Sequence, residues 1–177
     1  NNVDCQGLFL QKAYLTNVDA SVGSSSEKFA YRLSFNYYTE EGVMKGYGAT
    51  RVAPRLFLQL TPSKNVKISN NIFVSMEKAL HGSGDGGRYP FNAWGFPSSF
   101  WQLSDNDIKS YTGRLSSNRD DDRTTSLNGN TKVEVNILPG LTASSTLDYN
   151  FRFARRDWLY SAQVNGLGES EGINNNI

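Results

Sequence analysis

From Lys28 to Tyr38 the chain alternates with a period of two. Phe29, Tyr31, Leu33, Phe35 and Tyr37 fall on one side, and Lys28, Ala30, Arg32, Ser34, Asn36 and Tyr38 on the other. That spacing predicts a β-strand with one apolar face, of a length that suits the roughly 9–11 residues a tilted strand needs to cross a bilayer. Leu141 to Phe153 repeats it, with Leu141, Ala143, Ser145, Leu147, Tyr149, Phe151 and Phe153 opposing Thr142, Ser144, Thr146, Asp148, Asn150 and Arg152. Four further strands follow from the same pattern, near 14–22, 50–60, 66–77 and 131–138. Pro54 falls inside one of them. A proline cannot donate to a ladder, so a bulge near the rim is expected there.

The links between these strands alternate in length. Short ones fall at Gly23–Ser26, Thr61–Asn65 and Pro139-Gly140; longer ones at about 39–48, at 78–129 and from Ala154 onward. Outer-membrane barrels have short periplasmic turns and long extracellular loops, which gives this asymmetry, whereas a soluble sandwich has no cause to sort loop length by end. In lipid, an Arg or Lys at the midplane costs about 2–4 kcal/mol, which selects the register that keeps Lys28 and Arg32 on the wet face. The expected fold class is all-β, an antiparallel transmembrane β-barrel segment. A soluble or surface-exposed β-sandwich, serving as a carbohydrate-binding module, stays open as the alternative.

Composition narrows the function. Lys and Arg total 18 against 17 Asp and Glu, without the basic excess of a nucleic-acid binder, so no nucleic-acid partner is expected. The mean hydropathy of −0.50 does not oppose a membrane barrel, because alternating strands average to a soluble-looking value. The start, Asn1-Asn2-Val3-Asp4, does not resemble a signal peptide. The single cysteine, Cys5, reads as a small apolar filler and excludes an internal disulfide.

At these same segments the chain resembles the SusC/RagA family of TonB-linked outer-membrane transporters, typical of Bacteroidetes. One stretch is Ser21-Val22-Gly23-Ser24-Ser25-Ser26-Glu27-Lys28, followed by Tyr31-Arg32-Leu33-Ser34-Phe35-Asn36-Tyr37, by Glu41-Gly42-Val43-Met44-Lys45-Gly46 and by Arg55-Leu56-Phe57-Leu58. The other runs from Gly129 to Thr142. The matches keep the family's order over most of residues 15–153. Gly23-Ser24 stands where the family usually has paired glycines, and Pro54 where it has an ordinary strand residue. The resemblance implies uptake of glycans or peptides across the bacterial cell outer membrane, driven by the TonB system through a plug domain absent from this chain. It also implies a SusD-like surface lipoprotein as partner. A barrel of this family has about 22 strands, and about six cannot close one, because lipid does not tolerate open edges. Residues 1–177 are therefore expected to form a partial barrel in contact with outer-membrane lipid and with the remainder of the barrel. Asn174–Ile177 is expected to be interrupted loop. A passive porin is the further alternative.

No catalytic constellation is expected, so the chain does not read as an enzyme, and no cofactor is implied. His81 is the only histidine, and no sequence neighbour orients it. Gly82–Gly87 lacks the Gly-Lys-Ser/Thr ending of a phosphate loop. Asp120-Asp121-Asp122, between Arg119 and Arg123, does not have the alternating ligand spacing of a calcium loop, so solvated loop or local ion pairs are expected and no metal site. Ser104 with Asp107 fits a capping box and a short helix to about Tyr111. The long loop, 78–129, carries Tyr89, Phe91, Trp94, Phe96, Phe100, Trp101 and Tyr111. Such rings pack on the loop itself, on a ligand or on a lid protein. Arg88, Tyr89, Trp94 and Trp101 are the candidate substrate-binding residues.

Overall fold

The computed structural model describes residues 10–82 and 119–160, positions 4, 7, 104–106 and 108, and the backbone of 171–176; the side chains of Arg119 and Tyr160 lie outside this set. Among the described residues, seven strands form one antiparallel sheet in strict sequence order: β1 (Leu15–Ser25), β2 (Phe29–Glu41), β3 (Tyr47–Ser63), β4 (Val66–His81), β5 (Arg119–Leu138), β6 (Leu141–Tyr160) and β7 (Glu171–Asn176). Each strand pairs only with its chain neighbours, so the sheet is an open meander with β1 and β7 at its edges.

All six expected strands are present, and most are longer than expected. Strand β5 begins at Arg119, so 119–129 of the expected loop is strand, as is 78–81 at the end of β4. The link after β2 shrinks to 42–46. It is tied to the stretch ahead of β1: Gln11 N donates to Val43 O at 2.9 Å, and Leu10 bridges Met44. A seventh strand, β7, takes in Asn174–Asn176 where loop was expected.

Register puts the alternation to use. The rows Val18–Tyr37–Val52–Met76 and Val22–Leu33–Leu56–Ile72 run straight across one face. Leu127–Phe151 and Val135–Ala143 continue that face on β5 and β6. The opposite face is polar, as in the row Ser69–Lys132–Thr146. Cross-strand neighbours of this kind are what stabilise a sheet. Here they also sort the two faces, since a slip of one residue would exchange them. No second sheet covers the apolar face among the described residues: Leu147 and Phe153 are 67% and 68% exposed, and the buried apolar set is Ala53 alone.

Pro54 corrects one expectation. It sits in the middle of β3, not at a rim, and the only register shift on that strand lies between Leu60 and Ser63. The ladder to β4 simply omits Ala53 and Pro54, while pairing with β2 continues through Phe35 and Pro54. The missing donor is absorbed as a local gap on one side. At the β5–β6 turn, Gly140 has φ +84° after Pro139, the arrangement of a tight turn that needs a left-handed residue.

Candidate functional site

The polar face is the surface on which chemistry-bearing side chains gather. β1 to β3 bring a cationic part. Arg32 on β2 and Arg51 and Arg55 on β3 share this face by strand parity. The Arg51 guanidinium lies over the Tyr38 ring at 5.4 Å and donates from Nη2 to Asn36 Oδ1 at 3.3 Å. Asn36 is held in turn, because its Nδ2 donates to Asn17 Oδ1 at 2.7 Å and to Asp19 Oδ1 at 2.9 Å. The Arg55 guanidinium lies over the Phe73 ring at 5.1 Å. A cation over an aromatic face is attracted by the ring quadrupole and so takes a fixed orientation.

β4 to β6 bring an amide-rich part. Asn130 donates to Asp148 and Asn150 donates to Asn128, each pair directly opposite across β5 and β6. Lys132 Nζ reaches Glu134 Oε1 at 2.7 Å. Beside them a depression of about 370 Å³ is lined by Asn71, Phe73, Asn128 and Asp148, among others. Among the described residues the surface offers many donors and acceptors, which suits contact with a polar solute.

Beyond Met76, Thr125 and Phe153 the character of the apolar face changes. Its next row is Lys78–Arg123–Arg155, and the row after it is Leu80–Asp121–Asp157. Lys78 and Arg123 lie 3.6 and 4.0 Å from Asp121, and Arg155 lies 2.9 Å from Asp157. On the polar face at the same height, Arg156 grips Asp120 and lies 3.7 Å from Asp122. That hydrogen bond, and then the charge of Asp120, pushes the Arg156 guanidinium above its ordinary range. Charge on both faces sets this strand extension apart from the rest of the sheet.

This extension corrects two readings. The three consecutive aspartates are strand and not loop, and alternation sends Asp120 and Asp122 to one face and Asp121 to the other; the local ion pairs expected of them are present, with Arg156 at Asp120 and Lys78 at Asp121. His81 does have an orienting partner, Asp122 Oδ2 at 3.0 Å from its Nε2, supplied by β5. Both were invisible in sequence because the partners lie about 40 residues apart and meet only through register.

Residues 105, 106 and 108 are helical, with Ile108 N donating to Ser104 O at 3.0 Å, as expected of a helix start at Ser104; Asp107 and Tyr111 lie outside the described residues. So do Cys5 and all four candidate substrate-binding residues, Arg88, Tyr89, Trp94 and Trp101. The polar-face arginines were visible in sequence only as members of an alternating pattern. Their aromatic partners, Tyr38 and Phe73, stand directly opposite them on the strands either side of β3 and gave no local signal.

No protein-family model matches the chain, and no curated protein does. Solved structures do. The RagAB peptide importer in its closed-closed state is similar with a TM-score of 0.67 and 17% identity, over 91% of this chain and 20% of that one. The RagAB peptide transporter gives 0.66 and 16%, over 89% and 20%. The open-open state of the importer gives 0.66 and 17%, over 89% and 19%. This chain thus spans about a fifth of the length of the importer chains it matches. At this level of identity the likeness is one of fold: an all-β antiparallel meander similar to a barrel segment of a transporter structure.

Proposed function

We propose that the chain is a wall section of a TonB-dependent outer-membrane importer of glycans or peptides, working with a SusD-like surface lipoprotein. In this reading the apolar face meets lipid, the polar face lines the lumen, and the charged extension of β4–β6 stands above the membrane on the extracellular side. The observation that carries it is the fold match to the RagAB importer over nine-tenths of the chain, obtained on a sheet most of whose exposed large apolar side chains lie on one uncovered face.

The dimensions support it. Val66 to Met76 on β4 spans 11 residues, which at about 3.3 Å each and a tilt of about 40° stands about 28 Å tall, close to the roughly 25 Å apolar band of outer-membrane barrels. The open edges at β1 and β7 are then the seams where the rest of the barrel continues the ladder. A β-sandwich module would need a second sheet on the apolar face, and none lies there among the described residues.

The test has two parts. The full-length protein carrying this segment should sediment with outer membranes and require detergent for extraction. Uptake of its substrate should stop when the TonB system is deleted. Extraction as a folded protein without detergent contradicts the wall reading; TonB-independent uptake contradicts active import and favours a passive porin.

A further inference from the structure

Arg51 and Arg55 flank Ala53 on β3, and Ala53 is 7% exposed. The three sit on the polar face, in a depression of about 480 Å³ also lined by Asp19, Asn36 and Phe73. The two arginines are separated by about 13 Å along the strand. Each guanidinium is oriented by a ring, Arg51 by Tyr38 and Arg55 by Phe73, which leaves the charge in place.

Neither arginine forms an ion pair with a described residue. Glu77 is the register partner of Arg51, yet it accepts the Ser75 hydroxyl at 2.9 Å instead. Asp19 at the rim accepts the Asn36 amide. Lys132, Arg155 and Arg156, by contrast, each have a carboxylate within 3 Å. The depression therefore holds two oriented, uncompensated guanidinium groups against one carboxylate that is already engaged.

We infer that this depression binds a carboxylate-bearing solute. Guanidinium forks match the two oxygens of a carboxylate. The part of the half-buried Phe73 ring that Arg55 leaves uncovered offers apolar area to the stem that carries it. Its volume falls within the range of small-ligand sites, about 300–1,000 Å³. The inference deepens the importer reading and rests on it, because the polar face meets solute only if it lines the lumen. Acidic peptides and uronic-acid sugars share the required chemistry.

Phenylglyoxal labelling of arginines in the full-length, folded protein, read by peptide mass spectrometry, tests this without a variant that might misfold. The probes are capped Glu-Gly-Glu and glucuronate, with capped Gln-Gly-Gln and glucose as neutral counterparts. Arg51 and Arg55 should label readily, and Arg156, held by Asp120, slowly in every arm. An acidic probe at about ten times its dissociation constant should slow labelling of both arginines about tenfold, by mass action, and its neutral counterpart should not. Which acid protects identifies the source. Two results overturn the inference: arginines that resist labelling without probe, meaning another part of the protein already fills the depression, or ready labelling that neither acid slows. Labelling needs only folded protein, whereas membrane fractionation reports on the importer reading, so the two failures are distinct.

Discussion

Arg156 on β6 holds Asp120 on β5 through two parallel hydrogen bonds, Nε to Oδ1 at 2.7 Å and Nη2 to Oδ2 at 2.6 Å. The carboxylate side chain is 1% exposed while the arginine side chain is 48% exposed. Replacing Arg156 by Ala strands a desolvated carboxylate, a cost of about 1–3 kcal/mol rather than the larger figure for a fully buried pair. Amides at the start of β5 should exchange hydrogen faster in R156A, and D120N in the same chain should recover most of the protection.

Tyr149 lies across Gly129, its register partner, so closely that a Cβ on Gly129 would collide with the ring. The ring covers backbone that the glycine leaves bare. Gly129→Val forces the ring away and should destabilise the sheet by about 1–3 kcal/mol, the usual range for overpacking. Urea titration of the refolded barrel should show the loss, and adding Y149A should reduce it.

Asn70 is a polar residue on the apolar face. Its Nδ2 donates to Thr131 Oγ1 at 2.6 Å, while its buried Oδ1 has no partner. Thr131→Val alone leaves the whole amide unmatched and should cost about 1–3 kcal/mol; N70L with T131V should be neutral or stabilising. The two variants should move the urea midpoint in clearly different amounts.

Adjacent residues on opposite faces should respond oppositely to charge. Val133→Arg places a cation in lipid and should cost about 2–4 kcal/mol near the midplane. Ser144→Arg lies on the polar face opposite Glu134 and should fold like the parent. The folded fraction in lipid vesicles measures both.

How much of this was legible in sequence depends on where each strand sits. Within β2 and β6 the aromatic and aliphatic residues alternate so regularly that strand, face and register follow. The first part of β5 carries no such signal: Asp120–Asp122 and Asn128-Gly129-Asn130 read as loop because both faces of the extension are charged and the glycine is covered by a tyrosine from another strand. β7, with the sequence Glu-Gly-Ile-Asn-Asn-Asn, has no alternation at all and is strand by its ladder to β6. The anionic-ligand depression was hidden for a related reason. That Arg55 belongs with Phe73, and that Glu77 turns to Ser75 and not to Arg51, are facts of pairing between strands.

Spin labels placed one at a time along β6, from Leu141 to Tyr160, in the full-length protein reconstituted in lipid vesicles, test the lipid-facing wall most directly. From 141 to 153, odd positions should be accessible to oxygen and even positions to a water-soluble nickel chelate, in opposite phase; from 154 onward the nickel chelate should reach both. Odd positions that exclude both reagents, as in a protein core, or that admit the nickel chelate throughout, would contradict the account.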